Sequence, residues 1–178
     1  SSAEILPIQV ADARRQGPDL VGIGFRLGFL FFFLLHLLGG RGRGPDGRAA
    51  CGKSFLGLGA GWHQGEYDAY GIPFPSIGTR MRILDEAVQC VRLLLTEEVA
   101  NFEGEHFQLR DARLEPKPVQ ERLPLVVGGG GEKVTLRIAA QHADGWNLAF
   151  TSPETYRQKA EALAGHCERF DRDPASIT

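Results

Sequence analysis

Cysteine is scarce in this chain, with three among 178 residues, at positions 51, 90 and 167. The count is odd and no two lie within the spacing of a metal clip, so neither a disulfide framework nor a zinc site is indicated. No metal ligands are therefore predicted. Cys90 and Cys167 fall in helical patterns and are expected to be core or helix-flank residues rather than nucleophiles. A reduced, cytoplasmic protein is the expectation.

An excess of charge of either sign is also lacking, because 20 Lys and Arg face 22 Asp and Glu, for a formal net charge of −2. Neither nucleic acid nor an anionic membrane is expected as a partner on this ground. The longest apolar run, Leu27–Leu35, is far shorter than the roughly 20 residues that span a bilayer. We interpret this run as a buried strand or helix, so no membrane association is predicted.

Glycine, by contrast, is abundant, and it creates a first candidate phosphate site. The segment Gly47–Ser54, GRAACGKS, fits the phosphate-loop pattern G-x-x-x-x-G-K-[ST] letter for letter. A working phosphate loop needs a strand before it and a helix after it. Here GGRGRGPD precedes the segment and the Gly-rich SFLGLGAGW follows its lysine. We interpret the match as a product of local Gly-rich composition and keep a phosphate-loop nucleotide hydrolase as the alternative.

A second candidate has the flanks that the first lacks. The buried strand predicted at Leu125–Val127 runs into four glycines, and a helix is predicted to begin near Glu132. Glycine lets the backbone approach a ligand closely, and the first turn of a helix presents unpaired N–H groups to an anion. Thr135 would add its hydroxyl. We predict phosphate binding by Gly128, Gly129, Gly130, Gly131 and Thr135, with a flexible turn as the alternative.

A third candidate lies in GLGAGWH. Gly57, Gly59 and Gly61 occupy alternate positions and leave one face of a short strand bare, so a flat ring can lie against the backbone. Trp62 would form an apolar wall, and His63 would act as a hydrogen-bond donor or proton carrier, which makes it the candidate catalytic residue. The alternative is a crowded strand with a histidine on the surface, and the residues alone do not decide between the two.

From Ser54 onward the chain alternates between strand and helix patterns. Such alternation is typical of parallel βα units, either in an open sheet or in a barrel. A hairpin is expected around Glu103 and Gly104. Strands are predicted near Leu56–Gly59, Leu125–Val127 and Gly145–Leu148, and helices near residues 79–95, 132–142 and 153–168.

The stretches LGLGAGWHQGEY, LPLVVGGGGEKVTL and HADGWN, in this order, resemble the luciferase-like monooxygenase superfamily. Within it they resemble most the oxidoreductases that use the deazaflavin coenzyme F420. The resemblance covers about residues 55–178 and implies an α/β fold, a partial (β/α)₈ TIM barrel with the cofactor ring at the C-terminal ends of the strands. Residues 1–54 lack βα alternation, and we hypothesise that this irregular N-terminal segment is frame-shifted or disordered.

The resemblance also implies roles. Residues 59–63 would lie near the ring and its side chain, Gly128–Gly131 with Thr135 would hold the phosphate, and Trp146 and Asn147 would end the sixth strand. The implied reaction is hydride transfer between F420, or alternatively FMN, and a small organic substrate. A complete barrel takes about 250 residues, so the chain is expected to be either an incomplete oxidoreductase or a non-catalytic remnant. Its exposed sheet edges would favour homo-oligomers.

Overall fold

The structure is a computed structural model that describes residues 55–118, 120–149 and 151–178. Every strand and helix predicted after residue 54 is present, with ends shifted by a few residues. The strands are β1 (Leu56–Leu58), β2 (Ala100–Glu103), β3 (Gln108–Ala112), β4 (Leu125–Gly128) and β5 (Gly145–Asn147). The helices are α1 (Gln64–Ala69), α2 (Ile77–Thr96), α3 (Thr135–His142) and α4 (Pro153–Arg169), followed by a 3₁₀ turn at Pro174–Ser176.

The three predicted strands form one parallel sheet in the order β1-β4-β5. Leu58 pairs with Val127, and Gly128 pairs with Asn147. Leu125 and Val127 are fully buried, as expected for a parallel strand covered on its faces by helices. Helix α3 packs on β4 and on α4. The prediction of parallel βα units is confirmed.

The pairing continues on the far side of β5. The amide of Thr178 donates to the Asp144 carbonyl at 3.1 Å, and the amide of Trp146 donates to the Thr178 carbonyl at 3.0 Å. This exchange is the pattern of parallel strands, with Thr178 opposite Gly145. Neighbours in the sheet therefore follow chain order, as successive βα units of a barrel do.

The predicted hairpin is formed by β2 and β3, which pair antiparallel. Glu86 of α2 fixes its turn, because its carboxylate accepts hydrogen bonds from three consecutive amides, those of Glu105, His106 and Phe107, at 2.8–2.9 Å. The hairpin is thus tied to α2 by a side chain and not only by its own ladder.

A partly buried carboxylate joins the sheet to α2. Asp144 precedes β5 and accepts hydrogen bonds from the Leu125 amide at 2.8 Å and from Arg122 Nε at 2.9 Å, and it pairs with Arg92. Burial of the carboxylate opposes ionisation, but these hydrogen bonds outweigh it and hold the pKa of Asp144 below its ordinary value.

The structure shifts the predicted start of α3 and confirms the predicted burial of two cysteines. Helix α3 begins at Thr135 rather than near Glu132, and residues 132–134 form turns. The reason is a wide turn in which the Leu136 amide donates to the Gly131 carbonyl at 3.1 Å. Cys90 and Cys167 are buried as predicted, and burial raises the pKa of the Cys90 thiol to about 12.

Other predictions fall on residues 1–54, which lie outside the described residues. They include the hypothesis of a frame-shifted or disordered N-terminal segment, the interpretation of the apolar run Leu27–Leu35 and that of the pattern Gly47–Ser54. In the described part of the chain, no helix is long and apolar enough to cross a membrane. Across the same residues, no three His, Cys, Asp or Glu side chains gather in a way that could hold a metal ion.

Candidate functional site

Two of the predicted glycine segments meet at one edge of the sheet. Because β1 and β4 are parallel neighbours, their C-terminal ends lie side by side. A Cβ built on Gly59 would lie 3.7 Å from the Gly128 carbonyl oxygen. β5 ends next to them at Asn147. We call this end of the sheet the C-terminal edge; in parallel α/β folds it is where ligands bind.

The glycine loop, Gly128–Gly131, leaves the sheet at Gly129. This residue has a φ of +126°, a conformation that is open to glycine and strained for other residues. Its amide donates to the Asn147 carbonyl at 3.0 Å, and its carbonyl accepts from Trp146 Nε1 at 2.8 Å. Strand β5 therefore holds Gly129 from both sides.

Side chains at the next two positions would crowd neighbouring side chains. A Cβ on Gly130 would lie 2.9 Å from Leu148 Cδ1, and a Cβ on Gly131 would lie 2.9 Å from Thr135 Oγ1, so these neighbours would have to shift. Glycine thus avoids crowding at two positions of the loop and suits the backbone conformation at a third.

Backbone amides are left without acceptors after Gly129. In the described part of the chain, none of the amides from Gly130 to Thr135 donates a hydrogen bond to protein. The residue before α3, Val134, provides no side-chain cap. Consecutive unpaired amides at the start of a helix form a concave donor surface with a favourable dipole, which suits an anion.

A cation lies beside these amides. The Lys159 side chain comes from α4, and its Cε would be 4.0 Å from a Cβ on Gly130. Its Nζ pairs with Glu132 Oε1 at 2.7 Å. The hydrogen bond from Lys159 lowers the pKa of Glu132. Sequence reasoning missed Lys159, because it lies 28 residues after Gly131 and only the packing of α4 brings it to the loop.

Thr135 lies where the sequence predicted a loop-facing hydroxyl, although it begins α3 and is not one turn inside it. Its side chain is only 4% exposed. The hydroxyl contacts Met81 Sδ at 3.5 Å, and a thioether is a weak acceptor. A stronger acceptor within the loop would therefore compete well for this hydroxyl.

The segment from Gly59 to His63 is fixed at Gly61. Gly61 has a φ of +69°, and its carbonyl accepts a hydrogen bond from Arg80 Nη1 at 2.9 Å. A Cβ there would collide with the Tyr67 hydroxyl. Burial, more than the opposing charge of Arg80, raises the pKa of Tyr67, so this hydroxyl stays protonated at neutral pH. The turn is thus specified by glycine and by two side chains.

Trp62 and His63, which follow this turn, differ in their contacts. Trp62 is 72% exposed, the most exposed of the large hydrophobic side chains in the described residues. His63 caps α1, because its Nδ1 accepts from the Glu66 amide at 3.3 Å. Only Nε2 of the ring remains for a ligand. This capping role was missed, although a His-x-x-Glu spacing resembles a capping box and was its signal.

The residues at the C-terminal edge fit a cofactor that carries a phosphate and a flat ring. The unpaired amides and Lys159 suit the phosphate, and the absence of side chains on the loop lets a ligand approach its backbone. The bare backbone at Gly59 and the exposed indole of Trp62 suit an apolar ring system.

Comparison with known proteins identifies the family of the chain. A family model described as luciferase-like monooxygenase matches residues 47–178, well over half of the chain. The chain belongs to this family. The resemblance stated from the sequence is confirmed, and so is the fold class, a partial luciferase-like α/β fold. The match also includes the whole of Gly47–Ser54.

Among its relatives, the F420-dependent glucose-6-phosphate dehydrogenase of Kineococcus radiotolerans is 38% identical over 100 residues, which are 56% of this chain and 29% of that protein. Pyrimidine monooxygenase RutA of Stutzerimonas stutzeri is 32% identical over 132 residues, a match that covers 70% of this chain and 36% of that protein. A solved F420-dependent secondary alcohol dehydrogenase in complex with an F420-acetone adduct superimposes with a TM-score of 0.63 and 26% identity, covering 72% of this chain and 38% of that one.

These figures also define the extent of the likeness. The chain spans about a third of the length of each of these relatives. By their names, these relatives are a pyrimidine monooxygenase and two F420-dependent dehydrogenases.

Proposed function

We propose that the chain carries the cofactor site of an F420-dependent oxidoreductase that exchanges hydride with a small organic substrate. The observation that carries the proposal is the run of unpaired amides from Gly130 to Thr135, at the edge where parallel strands end and beside Lys159. F420 and FMN both combine a phosphate with a flat ring, and the deazaflavin ring of F420 supplies the hydride chemistry when bound.

In this proposal the residues of the chain bind and orient. The amides of Gly130 and Gly131 donate to phosphate oxygens, and Lys159 exchanges its partner Glu132 for the phosphate charge. Gly59 presents bare backbone to the ring, and Trp62 covers it. His63 offers the N–H of Nε2, because Nδ1 accepts the Glu66 amide.

FMN is the second candidate cofactor. Both cofactors place a phosphate on the same loop in our proposal, so the loop does not separate them. The choice between F420 and FMN therefore depends on the residues that contact the ring.

The proposal extends to a closed (β/α)₈ barrel, of which β1, β4 and β5 are three consecutive strands. Pairing of copies through the sheet edges and a cytoplasmic location remain predictions. Two alternatives also remain: nucleotide hydrolysis by Gly47–Ser54, and a remnant that binds no cofactor.

Ligand-dependent thermal stabilisation of the 178-residue chain separates these alternatives. We expect F420, or less strongly FMN, to raise the unfolding temperature, and saturation at 100-fold over Kd adds about 2.7 kcal/mol to the stability. Mg-ATP should have no effect. Stabilisation by Mg-ATP alone would favour the phosphate loop, and no response to any of the three would favour the remnant.

A further inference from the structure

The indole of Trp146 has a role that the cofactor proposal does not include. Trp146 is only 8% exposed, and its Nε1 donates to the Gly129 carbonyl at 2.8 Å. We infer that Trp146 is a positioning residue: by holding the Gly129 carbonyl, it aims the Gly130 amide at the anion. This inference rests on the proposed function, because it concerns the same phosphate site.

The geometry of the peptide group links the two atoms. In a planar trans peptide, the C=O of one residue and the N–H of the next point in opposite directions. The cis peptide bond among the described residues is Glu115–Pro116, so the bond between Gly129 and Gly130 is trans. An indole that holds the Gly129 carbonyl therefore turns the Gly130 N–H away from β5, into the row of unpaired amides.

Such a restraint is needed because Gly129 has no side chain to limit its rotation. The hydrogen bond from its amide to the Asn147 carbonyl, at 3.0 Å, fixes the preceding peptide. It leaves the next peptide plane free to flip, since glycine adopts many backbone conformations. The bond from Trp146 restrains that second plane. An amide that is already oriented binds an anion without the entropy cost of ordering it.

Helix α4 in turn fixes the indole. Tyr156 stacks on Trp146 with ring centroids 5.2 Å apart and an angle of 21° between the planes. Tyr156 lies in the first turn of α4, where its amide donates to Ser152, the N-cap. Lys159 follows three residues later on the same side of the helix. One helix end thus supports the indole and supplies the cation of the site.

The test compares Trp146→Phe, which keeps an aromatic ring against Tyr156 but removes the donor, with Tyr156→Leu, which keeps the donor but removes the stack. Thr96→Val is the control, because it deletes a side-chain to backbone hydrogen bond at the far end of α2. Each isotope-labelled 178-residue chain is titrated with inorganic phosphate, FMN and F420, and the Gly130 amide signal is followed by NMR.

Wild type and Thr96→Val should bind alike. Trp146→Phe should bind each probe about 3- to 10-fold more weakly, the effect of one hydrogen bond, with a Gly130 signal displaced even without ligand. Tyr156→Leu should lose less. Equal binding by Trp146→Phe with an unmoved Gly130 signal would overturn the inference alone, and so would a larger loss in Tyr156→Leu. Failure of wild type to bind any probe would overturn the proposed function and the inference with it.

A second measurement needs no variant and covers the case in which Trp146→Phe does not fold. The chain has two tryptophans, and Trp62 is exposed. The indole N–H of Trp146 should exchange with solvent far more slowly than that of Trp62, and it should shift when phosphate is added. Equal exchange rates, or a Trp146 indole signal that ignores a bound probe, would overturn the positioning role.

Discussion

Arg80 Nη1 donates to the Gly61 carbonyl at 2.9 Å, and this bond joins α2 to the turn that presents Trp62 and His63. The same guanidinium lies over the Phe74 ring, with its central carbon 3.8 Å from the ring centroid. A planar guanidinium stacks its face on the ring while an N–H at its edge donates to the carbonyl, an arrangement that a lysine ammonium does not reproduce with the same geometry. The turn is therefore expected to favour arginine at this position.

Arg80→Lys should destabilise the chain by about 1–3 kcal/mol, because a partly buried, charge-assisted hydrogen bond is lost. It should also weaken binding of the cofactor ring, since Trp62 and His63 follow the turn. Urea denaturation and F420 titration measure the two effects. Arg82→Lys is the matched control two residues away, where a pair with Glu105 is exposed to solvent and worth little. Equal losses in both variants would contradict a specific role for Arg80.

Glu86→Gln should loosen the β2–β3 hairpin. The carboxylate accepts three amides at once, whereas a glutamine side chain has one carbonyl oxygen and no charge. The expected loss is about 1–3 kcal/mol in the free energy of unfolding. Glu98→Gln is the control, because its ion pair with Arg113 is exposed. Hydrogen exchange at His106 and Phe107 should accelerate in Glu86→Gln only, and unchanged protection there would contradict the tie to α2.

The sequence predicted the elements and both glycine segments of the candidate site, but not the side chains that hold the glycine loop. The glycine loop could be found because strand, glycines and helix follow one another directly, and the strand–loop–helix context is local. Its partners could not, because Trp146 and Lys159 reach the loop through the packing of β5 and α4. The periodicity of the sequence does not indicate that the indole N–H of Trp146 donates to the Gly129 carbonyl.

The start of α3 shows a second limit. Glu132 is a reasonable first-turn residue by composition, yet the wide turn from Gly131 to Leu136 delays the helix to Thr135. Nor does the run of four glycines indicate which of them has a positive φ. In the structure it is Gly129, with a φ of +126°, whereas a Cβ on Gly130 would crowd Leu148 Cδ1.

These two glycines should therefore respond differently to substitution. Gly129→Ala forces a side chain into a positive-φ conformation and should cost about 1–3 kcal/mol of stability even without ligand. Gly130→Val places bulk against Leu148 and Lys159 and should reduce phosphate and cofactor affinity more than it reduces stability. Thermal unfolding and fluorescence titration of both variants test this. Wild-type cofactor affinity in Gly130→Val would remove the phosphate role from the loop.

Asp144 should make stability depend on acid pH. Its pKa is lowered in the folded state, so its contribution is present above the unfolded-state pKa, near 3.8, and is lost as the pH falls through the lower folded-state value. Asp144→Asn should flatten the stability curve below pH 4 and lower the plateau above it, and Arg122→Gln should do so in part. An acid limb identical to that of wild type would contradict this assignment.

Lys159 and Glu132 should affect anion binding in opposite directions. Lys159→Met removes the cation beside the glycine loop and should weaken phosphate and cofactor binding by about 3- to 10-fold at low salt. This is the size of a charge-assisted contact for which Glu132 competes with the anion. Glu132→Gln removes the carboxylate that now holds Lys159 Nζ at 2.7 Å, so it should tighten binding. Added salt should reduce both differences, because the charges are partly exposed.

Lys133→Met is the control for net charge, since Lys133 is exposed and adjacent in sequence to Glu132. Weaker binding in Glu132→Gln, or an equal loss in the two lysine variants, would show that Lys159 stabilises the loop through Glu132 and does not contact the anion.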